Sequence, residues 1–353
     1  MDRRTLLKTG LATTAGGLLV PVGGSLTAEA SAAPRVGKVL ARNLVVPWGI
    51  AFLPSGNALV SERNSGRVLV VRKSGGYRSV GRVPGVYNDG GEGGLLSLAL
   101  HPNFRRNRWL YAFMSTRSDN RVVRMKFENG KLGPVRSVLT GIPRSYHHNG
   151  GGLAFGRGGL LYVSTGDAEN AASAQNRRSL AGKVLRMTDT GRVPGGNPFG
   201  NYTWTYGHRN PEQIVFGPGG TLWSSEFGEK DKDELNRIVK GGNYGWPYVE
   251  GKDGPGGYRD PLAQWDTDEC SPSGIAIAGN RAWLGALRGE CVYSVRLQNP
   301  RKGLKRRFFT GRFGRIRSVA AAPDGSLWIT TSNRDGRQPP GPNDDKIIRI
   351  RLG

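Results

Sequence analysis

Short apolar runs alternate with glycine-rich and polar clusters along nearly the whole chain, and one unit of this pattern recurs six times. Each unit is a polar cluster, an apolar run of strand length, a turn, a second apolar run and a second polar cluster. It reads WGIAFLPSGNALVSER at 48–63, EGGLLSLALHPNFRRNRWLYAFMST at 92–116 and HNGGGLAFGRGGLLYVSTGD at 148–167. It returns as RNPEQIVFGPGGTLWSSEFG at 209–228, SPSGIAIAGNRAWLGALRG at 271–289 and RIRSVAAAPDGSLWITTSN at 315–333. The turns carry Pro, Gly and Asp-Gly signals that reverse a strand. A third β-rich run often follows: RVLVV at 67–71, RVVRMKF at 121–127, KVLRM at 183–187, CVYSVRL at 291–297 and KIIRIRL at 346–352. Sustained helical periodicity is almost absent. Six units predict an all-β fold, a six-bladed β-propeller whose blades are small antiparallel sheets around a central channel. A large β-sandwich competes, but it does not require one unit to recur six times. The last unit lacks an evident fourth strand, and GKVLAR at 37–42 is placed to fill it and close the ring.

In such a unit the hairpin returns the chain to the face it left. The polar clusters before the first run and after the second therefore share one mouth of the channel. This places His148 with Asp167, Trp48 with Glu62, Arg209 with Glu226, Ser271 with Arg288 and Arg317 with Asn333, with Glu92 beside them. Loops on a rigid scaffold are where function concentrates. A histidine next to a carboxylate is a base candidate near neutral pH, or a residue that only bonds loop backbone. Arg209, Arg288, Arg315 and Arg317 around one cavity repel each other unless an anion or neighbouring acids neutralise them. Both accounts stand on the repeat alone. At 226–247, EFGEKDKDELNRIVKGGNYGWP brings Asp231, Asp233 and Glu234 close together. These hard oxygens suit Ca²⁺ or a merely solvated loop. There is no Cys/His zinc pattern and no glycine-rich nucleotide loop.

Composition adds three points. The 353 residues include 55 glycines and a formal charge of +24. The basic residues are dispersed apart from RKGLKRRFF at 301–309, and no zinc-finger or helix-turn-helix pattern accompanies them. Nucleic acid is therefore not expected as a partner, while small anionic ligands remain open. Residues 1–33 read as a twin-arginine export signal: DRRTLLK, a weakly apolar stretch, then AEASAA with small-residue cleavage sites. That stretch is too short and glycine-rich for stable membrane insertion. The propeller is expected over 34–353. Export would let Cys270 and Cys291 pair, since both flank one hairpin.

Seven segments carry a resemblance. VPWGIAFLPSGNALVSER, GEGGLLSLALHP, HNGGGLAFGRGGLLYVSTGD, YGHRNPE, DELNRIVKGGNYGWP, SPSGIAIAG and GRIRSVAAAPDGSLWITTSNRDG resemble the soluble PQQ-dependent sugar dehydrogenases, the glucose/sorbosone dehydrogenase family. The aldose sugar dehydrogenase branch is the nearest in character. The resemblance runs in order from about residue 40 to the C-terminus. It implies pyrroloquinoline quinone (PQQ) and Ca²⁺ over the channel, oxidation of an aldose at C1 to the lactone, and an external electron acceptor. It implies His148 as general base, Asp167 as its support, and Arg209 and Asn210 beside the reacting carbonyl. It implies Arg315 and Arg317 on cofactor carboxylates, and a contact from Gln175. Main-chain carbonyls of Gly228 and Glu229 would coordinate the cofactor's Ca²⁺, and Glu234 with the Tyr244 carbonyl would hold a second, structural Ca²⁺.

The chain departs from the family pattern in four places. Arg288 replaces a frequent lysine, Glu229 a frequent proline, and Ser332 a frequent aspartate. Glu92 stands where glucose-specific members carry glutamine. Two other functions are compatible with the scaffold: a non-catalytic carbohydrate-binding propeller, and a Ca²⁺-dependent lactonase.

Overall fold

The computed structural model describes residues 33–252, 254–298 and 305–353. The export signal lies outside the described residues except for Ala33, and the 301–309 cluster is described only from Lys305. Six antiparallel sheets form the described body. Blade one comprises Pro47–Phe52, Ala58–Glu62, Arg67–Val71 and Tyr77–Arg82. Blade two comprises Leu95–Leu100, Trp109–Ser115, Asn120–Glu128 and Arg136–Ile142, with Lys131–Leu132 as a short extra strand. Blade three comprises Leu153–Phe155, Leu161–Thr165, Lys183–Met187 and Thr203–Tyr206. Blade four comprises Asn210–Phe216, Leu222–Phe227, Lys232–Ile238 and Ala263–Asp266. Blade five comprises Pro272–Ala278, Arg281–Ala286, Cys291–Arg296 and Lys305–Phe308. Blade six takes Ile316–Ala321, Leu327–Thr331 and Ile347–Arg351 from the C-terminus and Arg35–Ala41 from the N-terminus. In that last pairing Val36 faces Ile350 and Val39 faces Ile348, so the ring closes as the pattern predicts.

The apolar residues form one cluster at each of the six blade-to-blade interfaces. Trp48, Trp265 and Trp328 are fully buried among them. The glycine that precedes the inner-strand apolar run has a packing reason. A Cβ on Gly49 would sit 2.7 Å from the Leu96 carbonyl oxygen, and one on Gly274 would sit 2.4 Å from the Ser318 Cα. Only glycine lets adjacent inner strands approach this closely. Hydroxyls on the second strands reinforce the contact: Ser61 donates to the Leu96 carbonyl (2.5 Å) and Thr330 to the Pro47 carbonyl (3.0 Å).

The channel is crossed by a buried polar group from three blades. The Arg317 Nη1 donates to Glu212 Oε2 (2.8 Å) and to the Ser273 hydroxyl (3.2 Å), and Ser273 donates to Glu212 Oε2 (2.9 Å). Burial pushes the Glu212 carboxyl up to about 7, against the pull of Arg317. Cys270 and Cys291 share the cluster between blades four and five as free, buried thiols, so the expected disulfide is absent. Burial raises both thiols above their usual range, which disfavours the thiolate that would initiate oxidation.

Two outcomes follow from this architecture. Deleting Arg35–Ala41 strips blade six of its outer strand and bares a sheet edge. The thermal midpoint should fall by about 10 °C or more by calorimetry; an unchanged midpoint would mean that interface packing alone holds the ring. The second concerns Glu212. A carboxyl raised above its ordinary 4.5 gives stability that is present below that value and lost as pH rises through about 7. Glu212→Gln removes this loss, so its midpoint relative to wild type should climb between about pH 5 and pH 8. A pH-independent difference would contradict the buried-carboxyl account.

Candidate active site

His148 precedes the inner strand of blade three, and Asp167 follows the second strand, so the hairpin brings them together. His148 Nδ1 lies 2.8 Å from Asp167 Oδ1. Asp167 is buried and can only accept, which assigns the proton to Nδ1 and leaves Nε2 as the basic nitrogen. The carboxylate is itself fixed: Trp246 Nε1 donates to Oδ2 (2.8 Å), and the Glu169 N–H donates to Oδ1 (2.9 Å). His148 adopts a left-handed backbone, φ 54°. For a non-glycine residue this conformation costs energy and persists only where the surroundings impose it. Here Glu92 Oε2 accepts the His148 N–H (2.8 Å), and the His148 carbonyl accepts the Ala168 N–H (3.2 Å).

His148 opens onto a cavity of about 410 Å³ shared with Arg209, Asn210, Gly228 and Glu229. Glu92, His147, Arg288 and Arg337 join it to a second cavity of about 820 Å³. The larger space is lined by Arg63, Arg288, Arg315, Arg317 and Arg337 against Glu92 and Asp335. The acid-pairing account describes Arg315 and Arg317. Arg315 Nε donates to Asp335 Oδ2 (2.9 Å), and Arg317 is held by Glu212. Arg288 is exposed, and its guanidinium has no hydrogen bond or ion pair among the described residues. Ser332, where a carboxylate was expected, bonds Asp335 Oδ2 (3.2 Å), so Asp335 supplies the acid at that corner.

The other expected site residues are placed as follows. Arg209 directs Nε (2.8 Å) and Nη2 (2.5 Å) to Glu229 Oε2 and stacks over Trp246 at 5.6 Å. Asn210 bridges blades three and four by accepting the Gly150 N–H (2.9 Å), and it reaches Glu92 Oε2 at 3.3 Å. Gln175 does not line either cavity. Its amide is engaged with Asn243 (3.1 and 2.9 Å) and the Trp246 carbonyl (2.6 Å), which steadies Trp246 from behind. His147 lines the mouth and pairs with Glu169 at 3.0 Å, and that bond holds Glu169 down at about 2. Arg63, Glu212, Trp246 and Asp335 were not singled out from the sequence.

Glu234 and Tyr244 border a small cavity of about 10 Å³ with Glu226 and Glu250, room for one small species. Asn236 donates to both Glu234 (2.8 Å) and Glu226 (3.1 Å), while its own Oδ1 is buried without a partner. Burial, then Glu226, pushes Glu234 up to about 8. An orphaned oxygen among crowded carboxylates fits a hard cation. The described residues hold no metal-spaced cluster of three or more His, Cys, Asp or Glu side chains, so carbonyl and amide oxygens would have to complete the shell. In the His148 cavity, the main-chain carbonyls of Gly228 and Glu229 accept no hydrogen bond among those made by the described residues.

The comparisons with known proteins agree with this geometry. The solved PQQ-bound aldose sugar dehydrogenase of Streptomyces coelicolor is 42% identical, with a TM-score of 0.87 over 91% of this chain and 98% of its own. An aldose sugar dehydrogenase of Escherichia coli is 29% identical over 85% of this chain and 90% of its length. Quinoprotein glucose dehydrogenase B of Acinetobacter calcoaceticus is 32% identical over 73% of this chain and 63% of its length. With residues 44–348 matching the Glucose / Sorbosone dehydrogenase family, the chain belongs to that family of six-bladed propeller oxidoreductases.

Proposed function

We propose that the protein is a PQQ- and Ca²⁺-dependent aldose dehydrogenase that oxidises the sugar at C1 to the lactone. The observation that carries this is a histidine base, oriented by a buried acid, at the edge of an arginine-rich cavity. The cavity residues fit a tricarboxylate: five guanidiniums face two carboxylates, and two of the five have no acid partner. The free Gly228 and Glu229 carbonyls fit the cofactor's Ca²⁺, and the Glu234, Asn236 and Tyr244 corner fits a structural one. Bound PQQ supplies the two-electron acceptor for the hydride from C1.

The chain's own residues do the rest. His148 Nε2 takes the proton of the C1 hydroxyl as the bond to oxygen gains double-bond character. Asp167 keeps the proton on Nδ1 and stabilises the imidazolium that results, and Trp246 prevents the carboxylate from turning away. Arg209 and Asn210 provide donors on the same wall. Electrons leave to an external acceptor. The 1–33 segment directs export, and no helix among the described residues is long and apolar enough to cross a membrane.

Apo-protein given PQQ and Ca²⁺ should reduce a dye when supplied with aldoses. His148→Gln should lower kcat by about 10²–10⁴-fold and leave PQQ affinity unchanged. Asp167→Asn should lower kcat by at least roughly a hundredfold. Sugar binding without PQQ and without dye reduction would favour a carbohydrate-binding propeller, and metal-dependent lactone hydrolysis without PQQ would favour a lactonase.

A further inference from the structure

Of the five cavity arginines, four are exposed or already engaged. Arg317 is held by Glu212, Arg315 by Asp335, and Arg337 lies 3.9 Å from Glu92 with its side chain 57% exposed. Arg288 is unpaired but open to solvent, which compensates its charge. Arg63 differs. It is 3% exposed and has no ion pair among the described residues. Its guanidinium makes one hydrogen bond, from Nε to the Asn64 side-chain oxygen (2.8 Å), and its two terminal nitrogens take none. The side chain lines the larger cavity. Its backbone is pinned at a blade junction, with the Arg63 N–H on the Val46 carbonyl (2.9 Å) and the Leu95 N–H on the Arg63 carbonyl (3.0 Å).

A buried, unpaired cation is costly in a folded chain. Burial and the nearby Arg317 both weigh against it, lowering Arg63 to about 10. Glu92, Glu212 and Asp335 offset this only at a distance. The paired fork of terminal nitrogens is suited to a bidentate carboxylate.

We propose that Arg63 is the buried anchor of the cavity and takes one carboxylate of the cofactor, a role not shared equally with the acid-bound Arg315 and Arg317. The inference rests on the PQQ reading above. It assigns the anchor to the buried arginine whose two terminal nitrogens are free.

The test is PQQ titration of the apo-protein with Ca²⁺, followed by fluorescence quenching, for wild type, Arg63→Met and Arg63→Lys, with the melting midpoint of each apo-protein. Arg63→Met should weaken PQQ binding by at least about tenfold. Its apo midpoint should hold or rise, because an uncompensated buried charge is gone. Arg63→Lys keeps the charge without the fork and should bind with intermediate affinity. A lower apo midpoint with unchanged affinity would make Arg63 a structural counter-charge and overturn the proposal. If Arg63→Met does not fold, Arg63→Lys decides, and wild-type affinity in that variant overturns it. If wild type itself does not bind PQQ, the functional reading falls together with the inference, which separates that failure from the others.

Discussion

Five guanidiniums share one cavity with two carboxylates, and their mutual repulsion is the constraint that the rest of the molecule has to withstand. No single blade could hold them together. Arg63 comes from blade one, Arg288 from blade five, and Arg315 and Arg317 from the entry to blade six. The ring opposes the repulsion with six apolar interfaces, glycine-permitted contact between inner strands and a strand from the N-terminus that leaves no free edge at the join. Glu212 relieves part of the strain from below, and its burial limits how fully it can do so.

The base is under a related constraint. His148 occupies a backbone conformation it would not choose, and the groups that fix its main chain, its ring and the carboxylate behind the ring come from three blades. Glu92 belongs to the loop before blade two, Asp167 to blade three, and Trp246 to the long connection in blade four. Glu92 therefore has a second use besides lining the cavity: its Oε2 fixes the main chain of the base. A glutamine in its place would still offer an oxygen, so this departure changes charge at the mouth more than it changes the posture of His148.

Much of this was legible in the sequence for simple reasons. A strand-turn-strand unit repeated six times specifies blades, and hairpin geometry alone pairs His148 with Asp167. The outer strands were harder, because YRSVGR at 77–82 is half exposed, KRRF at 305–308 is mostly exposed, and neither carries a clean alternation. Arg63 and Glu212 were invisible for a different reason. Each sits among strand residues that look structural, and only the ring shows that Arg63 faces the shared cavity and that Glu212 meets Arg317 across blades. Asp335 was hidden by a shift of three positions from Ser332, where the acid was sought. Gln175 carried a family expectation that its clasp with Asn243 does not support directly. The two cysteines flank one hairpin as expected, yet they are buried as neutral thiols.

The charge in the cavity also has a direction. At His148 itself, Arg209 is matched by Glu229, while Asp167 and Glu169 add carboxylates. Arg63, which lines only the larger cavity, and Arg288, which lines both, lack acid partners, so the larger cavity is the more cationic of the two. A flat ligand with its carboxylates gathered toward one edge meets a field that turns that edge away from the base, before any close contact forms. The Glu229 departure contributes to this asymmetry. With a proline there, Arg209 would add its charge beside His148 and the field would lose its slope.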